Sequence, residues 1–203
     1  TVALQFAEQE SGFLAGVAAS LEMKSGYFGV VMGADYPPVL RYKNGFVQGI
    51  QYANQNFGTS IQTRAEDYVF LNGFEDVEGA EQAATELYER GVSLIFAPCG
   101  TAVTGVLDVA KQKMIDGEIR CVVAADSDFY ADGKYLGERS VVVTSALKNA
   151  EVSVYNVIKQ IHDDTFKGGI TWMEKAQTGG IGLPDENPGL REDVQKTITL
   201  LTE

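Results

Sequence analysis

A chain of 203 residues carrying 28 acidic and 16 basic side chains has a formal charge of −12 at pH 7. The length supports one or two hydrophobic cores. The charge argues against nucleic acid, whose binders present a basic face to displace counterions, and against an anionic membrane surface. No run approaches the ~18–20 apolar residues of a bilayer span, and no charged segment followed by an apolar stretch opens the sequence.

Taken in order, the chain begins with a stub of strand over Thr1–Phe6 and passes directly into a helix over Gly12–Met23, with Phe13, Leu14, Val17 and Leu21 at helical spacing. Tyr27–Met32 reads as a buried strand, and Asp35-Tyr36-Pro37-Pro38 turns into a helix that runs to about Asn56. Ile61–Val69 is strand-like. A helix over Phe74–Arg90 turns Val77, Ala80, Ala84 and Leu87 inward, with acids near its start as the macrodipole favours. Val92–Ala97 is a strand, and Thr101 is placed to cap a helix carrying Val103, Val106, Leu107, Ala110 and Met114. Strands over Ile119–Ala125 and Ser140–Thr144 follow. The chain then offers a helix over Leu147–Phe166, an extended segment over Gly168–Leu183 and a terminal helix after Pro188. Strands separated by helices imply βαβ units and a parallel sheet. The last elements read as crossovers and not as a continuation of that sheet. No internal repeat or low-complexity segment is present.

Two short segments carry the chemistry. Cys99-Gly100-Thr101 and Ala125-Asp126-Ser127-Asp128 put a glycine turn and two carboxylates at the ends of neighbouring strands, where open α/β sheets hold small ligands. An ionised Asp only accepts hydrogen bonds, which suits a sugar diol. Lys148 follows and can neutralise that charge or reach a ring oxygen. The two cysteines fall at opposite ends of adjacent parallel strands, too far apart for a disulfide. Cys99 has no partner base, and the only histidine, His162, sits on a polar helix face. No catalytic set, metal cluster or cofactor site is expected.

At these residues the sequence resembles the basic membrane protein family of ABC-transporter substrate-binding lipoproteins, which includes purine nucleoside receptors. The resemblance rests on Phe13-Leu14-Ala15-Gly16, on Gly29 to Gly33 followed by Asp35 and a proline, and on Arg41-Tyr42-x-x-Gly45-Phe46-x-x-Gly49. It continues through Gly73-Phe74-x-Asp76, Leu94-Ile95-Phe96 with Gly100 and Gly105-Val106, Asp126-x-Asp128 and Thr144-Ser145-x-x-Lys148. It implies an α/β, type I periplasmic-binding-protein-like fold, a parallel sheet flanked by helices, with one lobe nearly complete and the N-terminal lobe truncated. Residues 1–26 would be an N-terminal-lobe remnant and 27–125 the C-terminal lobe. Residues 126–203 would supply crossovers, an N-lobe helix over 147–166 and the C-terminal helix.

The resemblance also implies roles. Phe74 would stack on a nucleobase, the alternative being that it packs the base of its helix. Gly100 would let backbone approach the ligand, and Asp126 and Lys148 would hold ribose hydroxyls. Asp128 and Thr101 are secondary candidates, Asp128 holding its loop or Lys148. Where the family has Gly-Gly-Thr-Gly, this chain reads Gly100-Thr101-Ala102-Val103, which changes the pocket wall. The implied function is capture of a purine nucleoside or similar ring-plus-polyol solute for an importer's permease and ATPase, outside the cytoplasm, with the full-length precursor lipid-anchored. Relatives carry a further N-terminal segment. Without it, the Phe13-Leu14-Val17 and Val154-Ile158-Ile161 stripes would be exposed and favour self-association. A ligand-sensing regulator domain of the same fold, or a nucleoside-processing enzyme, are the alternatives.

Overall fold

The computed structural model describes residues 1–202. Its elements begin with β1 (Val2–Phe6), α1 (Glu8–Met23), β2 (Ser25–Met32), α2 (Pro37–Phe57) and β3 (Ser60–Phe70). These are followed by α3 (Val77–Glu89), β4 (Val92–Ala97), α4 (Val103–Ile115), β5 (Cys121–Asp126) and the short β6 (Lys134–Leu136) and β7 (Arg139–Ser140). The chain closes with β8 (Val142–Lys148), α5 (Ala150–His162), β9 (Ile170–Glu174), β10 (Ile181–Gly182) and α6 (Glu192–Thr202).

Six strands form one sheet in the order β10-β8-β5-β4-β2-β3, parallel throughout except for β10. Apolar runs in β2, β4 and β5 need cover on both faces, which is why their buried residues divide in alternation. Val30, Met32, Leu94, Phe96, Val123 and Ala125 meet α1, α2 and α6 on one side. Val31, Ile95, Ala97, Val122 and Ala124 meet α3 and α4 on the other. A separate parallel pair, β1 with β9, lies outside this sheet.

The structure corrects several sequence expectations. The strand expected over 140–144 runs to Lys148, because Val142 to Leu147 pair with β5 from Val122 to Asp126 and Leu147 and Lys148 pair with β10. The helix expected from Leu147 to Phe166 is therefore shorter, Ala150–His162. The late strands β8 and β10 continue the main sheet. The helix expected from Phe74 starts at Val77, where the Asp76 carboxylate accepts from Gly79 N–H at 3.0 Å and caps it, leaving Phe74 in the preceding turn.

The expected exposure of the Phe13-Leu14-Val17 stripe is also corrected. Leu14 and Val17 are buried, and Phe13 packs on Tyr52 at 5.4 Å between ring centroids. Four glycines explain this. A Cβ on Gly12 or Gly16 of α1 would strike the carbonyl oxygens of Tyr42 and Phe46, and one on Gly45 or Gly49 of α2 those of Gln9 and Phe13. The two backbones thus touch and the stripe closes against α2. By contrast Val154, Ile158 and Ile161 of α5 remain exposed. Gly49→Ala is expected to destabilise the fold by about 1–3 kcal/mol, the cost of overpacking. Urea unfolding should show a lower midpoint at an unchanged slope, and an unaltered midpoint would contradict the close approach.

Candidate functional site

The sheet order reverses at β2, which has β3 on one side and β4 on the other. Such a reversal opens a crevice at the carboxyl ends of the strands. The chain turns sharply after three of these strands. Tyr36 N–H donates to Ala34 O at 3.0 Å after β2, Cys99 N–H to Ala97 O at 2.9 Å after β4, and Ser127 N–H to Ala125 O at 2.9 Å after β5. Each is a three-residue turn of the γ type. Asp126 is the centre of the third, with φ of +69°. A positive φ at the centre of such a turn makes it the rare, strained γ form and not the common inverse one.

Phe74 reaches the crevice from the turn after β3. Its carbonyl is fixed by two donors, Ala102 N–H at 2.9 Å and the Thr101 hydroxyl at 3.0 Å. Its ring fills space that two glycines leave open. A Cβ on Gly33 would collide with the ring, and one on Gly100 would lie 2.9 Å from the Phe74 Cβ. Gly100 also has φ of +63°, so it is required both for its own backbone and for Phe74. Tyr36 stands 6.0 Å from Phe74 between ring centroids.

A cavity of about 270 Å³ results, lined by Tyr36, Pro38, Val39, Tyr42, Phe74, Pro98, Asp126 and Lys148. Three of the residues singled out in the sequence, Phe74, Asp126 and Lys148, share it. Gly100 and Thr101 stand behind Phe74 and do not line the wall. The Thr101 hydroxyl caps no helix: the N-cap of α4 is Ala102, and the Thr101 O–H donates to the Phe74 carbonyl. Asp128 is a loop residue: its carboxylate accepts from Tyr130 N–H at 3.0 Å and from the Ser145 hydroxyl at 3.3 Å. Of its two expected roles the structure thus shows the loop, with Lys148 paired elsewhere.

The polar end of the cavity is a chain of charges. Lys148 Nζ lies 3.2 Å from Asp126 Oδ1 and 3.2 Å from Glu8 Oε1. Arg41 Nε donates to the other Glu8 oxygen at 2.7 Å. The Glu8 side chain is only 4% exposed, whereas Asp126 is 49% exposed. The Tyr42 hydroxyl donates to Asp126 Oδ1 at 3.3 Å and to Ala146 O at 3.2 Å. Burial, and then the Asp126 and Glu8 carboxylates, push the Tyr42 phenol well above its ordinary value, so it remains a donor. Glu8 and Tyr42 are the residues that the sequence does not advertise. An acid in a first helical turn reads as a macrodipole effect, and Tyr42 sits in a common helix pattern.

The cysteines are free. Burial, with a smaller contribution from Asp126, pushes the Cys99 thiol up to about 12, and burial pushes Cys121 up to about 11. His162 is solvent-exposed at the end of α5.

All of residues 1–203 match the family described as Bmp, "ABC transporter substrate-binding protein PnrA-like". The chain belongs to the Bmp family. Among its relatives, the ABC transporter nucleoside-binding protein BmpA of Lactococcus lactis subsp. cremoris is 25% identical over 203 residues, covering 96% of this chain and 56% of that protein. The CD4+ T-cell-stimulating antigen of Listeria monocytogenes serovar 1/2a is 25% identical over 199 residues, covering 95% of this chain and 54% of the relative. This Bmp chain therefore spans about half the length of these relatives. A solute-binding protein of an ABC transporter system from Aeropyrum pernix K1 superposes with a TM-score of 0.75 at 24% identity, covering 98% of this chain and 58% of the other, and shares the fold.

Gly100→Ala in this Bmp chain is expected to cost about 1–2 kcal/mol from backbone strain alone and to displace Phe74. Crystallography should show the Phe74 ring shifted, and a ring left in place would contradict the fit described.

Proposed function

We propose that this chain recognises a purine nucleoside, or a similar ring-plus-polyol solute, as part of an extracytoplasmic substrate-binding protein of an ABC importer. The observation that carries the reading is that Phe74, Asp126 and Lys148 line one cavity. An aromatic face suits a planar base, since base stacking on aromatic side chains is worth about 1–3 kcal/mol per base in other systems. A carboxylate beside an ammonium suits vicinal hydroxyls, one oxygen accepting and one N–H donating. Gly100 serves the site through Phe74 in this reading, by leaving room for its side chain.

In the full-length protein the main sheet and its helices would form one lobe, and the β1–β9 pair with α5 would join a second. Ligand would be trapped by closure between them and delivered to a membrane permease driven by an ATPase. The precursor would be held at the membrane by a lipid. Among the described residues no helix is long and apolar enough to cross a bilayer. The name of the Lactococcus relative, a nucleoside-binding protein, supports the ligand class.

The protein would bind and release without chemistry. Its protonated, buried Cys99 makes a poor nucleophile, and His162 lies outside the cavity-lining set. In the full-length protein, Asp126→Asn is expected to weaken nucleoside binding by about 1.5–3 kcal/mol, the range of a hydrogen bond to a charged group. Asp128→Asn should do less. Calorimetry showing equal losses, or none at Asp126, would remove the diol contact. Mass spectrometry should identify an intact nucleoside released from denatured protein, and free base with ribose would instead indicate a hydrolase.

A further inference from the structure

Glu8 has no place in the cavity wall, yet its contacts reach it. Its carboxylate is buried at the start of α1, where the chain leaves β1, and burial of a charge is costly unless it is paired. Two cations pair it, and they come from different places. Arg41 of α2 is 42% exposed and neutralises Glu8 from the solvent side. Lys148, from the end of β8, is the cation that also faces Asp126.

The ammonium is thus drawn equally in two directions, 3.2 Å from each carboxylate, with the rings of Tyr42 and Phe6 at 5.4 and 5.7 Å. A lysine stem is flexible, and its ammonium is a compact charge that follows the nearest anion. Facing Asp126 alone, it would settle on that carboxylate and compete with any ligand hydroxyl for it. Glu8 instead shares the ammonium with Asp126, which meets it through Oδ1. Asp126 then keeps Oδ2 for one hydroxyl, and the ammonium, with three donors, keeps one for the next.

We infer that Glu8 is a positioning residue for Lys148, and that by sharing the ammonium with Asp126 it sets the preference of this cavity for a vicinal diol over a deoxygenated sugar. This rests on the nucleoside reading above and adds to it a residue outside the cavity wall.

The test uses the full-length protein with inosine and 2′,3′-dideoxyinosine as probes, together with a ligand-free crystal structure of Glu8→Gln. Glu8→Gln is expected to weaken inosine about tenfold, the scale of one charge-assisted hydrogen bond, and dideoxyinosine less than twofold. In the crystal the Lys148 ammonium should have left residue 8 and closed on both oxygens of Asp126, whereas it now shares itself equally between the two carboxylates. In a Lys148→Met background, Glu8→Gln should change neither affinity. Glu8→Asp keeps the charge for Arg41 but shortens its reach, and it should reproduce the selective loss if Glu8→Gln does not fold. Equal losses for both probes, or an ammonium still in place, would overturn the positioning role. If wild-type protein binds both probes alike or neither, the diol reading fails, and the ammonium's position in the ligand-free variant still decides what Glu8 does.

Discussion

A carboxylate taken out of water must find cations, and that requirement organises the site end of this molecule. Glu8 recruits Arg41 from α2 and Lys148 from β8, and Lys148 in turn faces Asp126 at the end of β5. The start of α1 is therefore tied to two strands of the sheet by charge as well as by packing. The stem of α1 is tied by contact, since glycines on both helices let α1 and α2 meet backbone to backbone. One helix thus carries both a packing constraint and an electrostatic one, and the geometry at Asp126 depends on both. The backbone at Asp126 adds a third, because its left-handed φ fixes where the carboxylate leaves the strand.

The aromatic end is built differently. No ion holds Phe74. Its place follows from the absence of side chains at Gly33 and Gly100 and from two donors on its carbonyl, one of them the Thr101 hydroxyl. From behind the wall, Thr101 supplies a hydrogen bond to the residue that lines it, so the loop after β4 acts on the cavity through the seat of its aromatic ring.

Much of this architecture was legible because it rests on local signals. Apolar runs such as Val92–Ala97, separated by amphipathic helices, can only be satisfied by a parallel sheet covered on both faces, and Asp126 and Lys148 fall at strand ends in any such arrangement. What escaped was set by distant partners. Ser145-Ala146-Leu147 has little strand character by composition, yet pairing with β5 and β10 makes it strand. The start of α3 was misplaced because Phe74 extends the apolar pattern by chance, while the Asp76 cap decides the boundary. Glu8 was invisible since its meaning lies in Lys148, on the far side of the chain. Which surface the Phe13-Leu14-Val17 stripe meets is decided by the glycine pairs on α1 and α2, and these become informative only once the two helices are placed together.

Water decides how much this cavity can do. Asp126 is half exposed, and a hydrogen bond to a carboxylate that water can also reach gains little. The same donor and acceptor, dried by a covering surface, act in a lower dielectric, where each contact is stronger and an unmet one is costly. Affinity for a hydroxylated solute therefore calls for a second wall over Asp126, Lys148 and the open part of the Phe74 ring. The β1–β9 pair comes close to that position, since the Phe6 ring stands 5.7 Å from the Lys148 ammonium. A two-stranded ribbon is marginal without further strands or a packed face, and α5 keeps Val154, Ile158 and Ile161 exposed. In the proposed reading, the main sheet with its glycine-seated aromatic ring is one wall of the site. Closure would fall to elements whose own apolar surface is still unburied, and burying that surface would dry the charges beneath it.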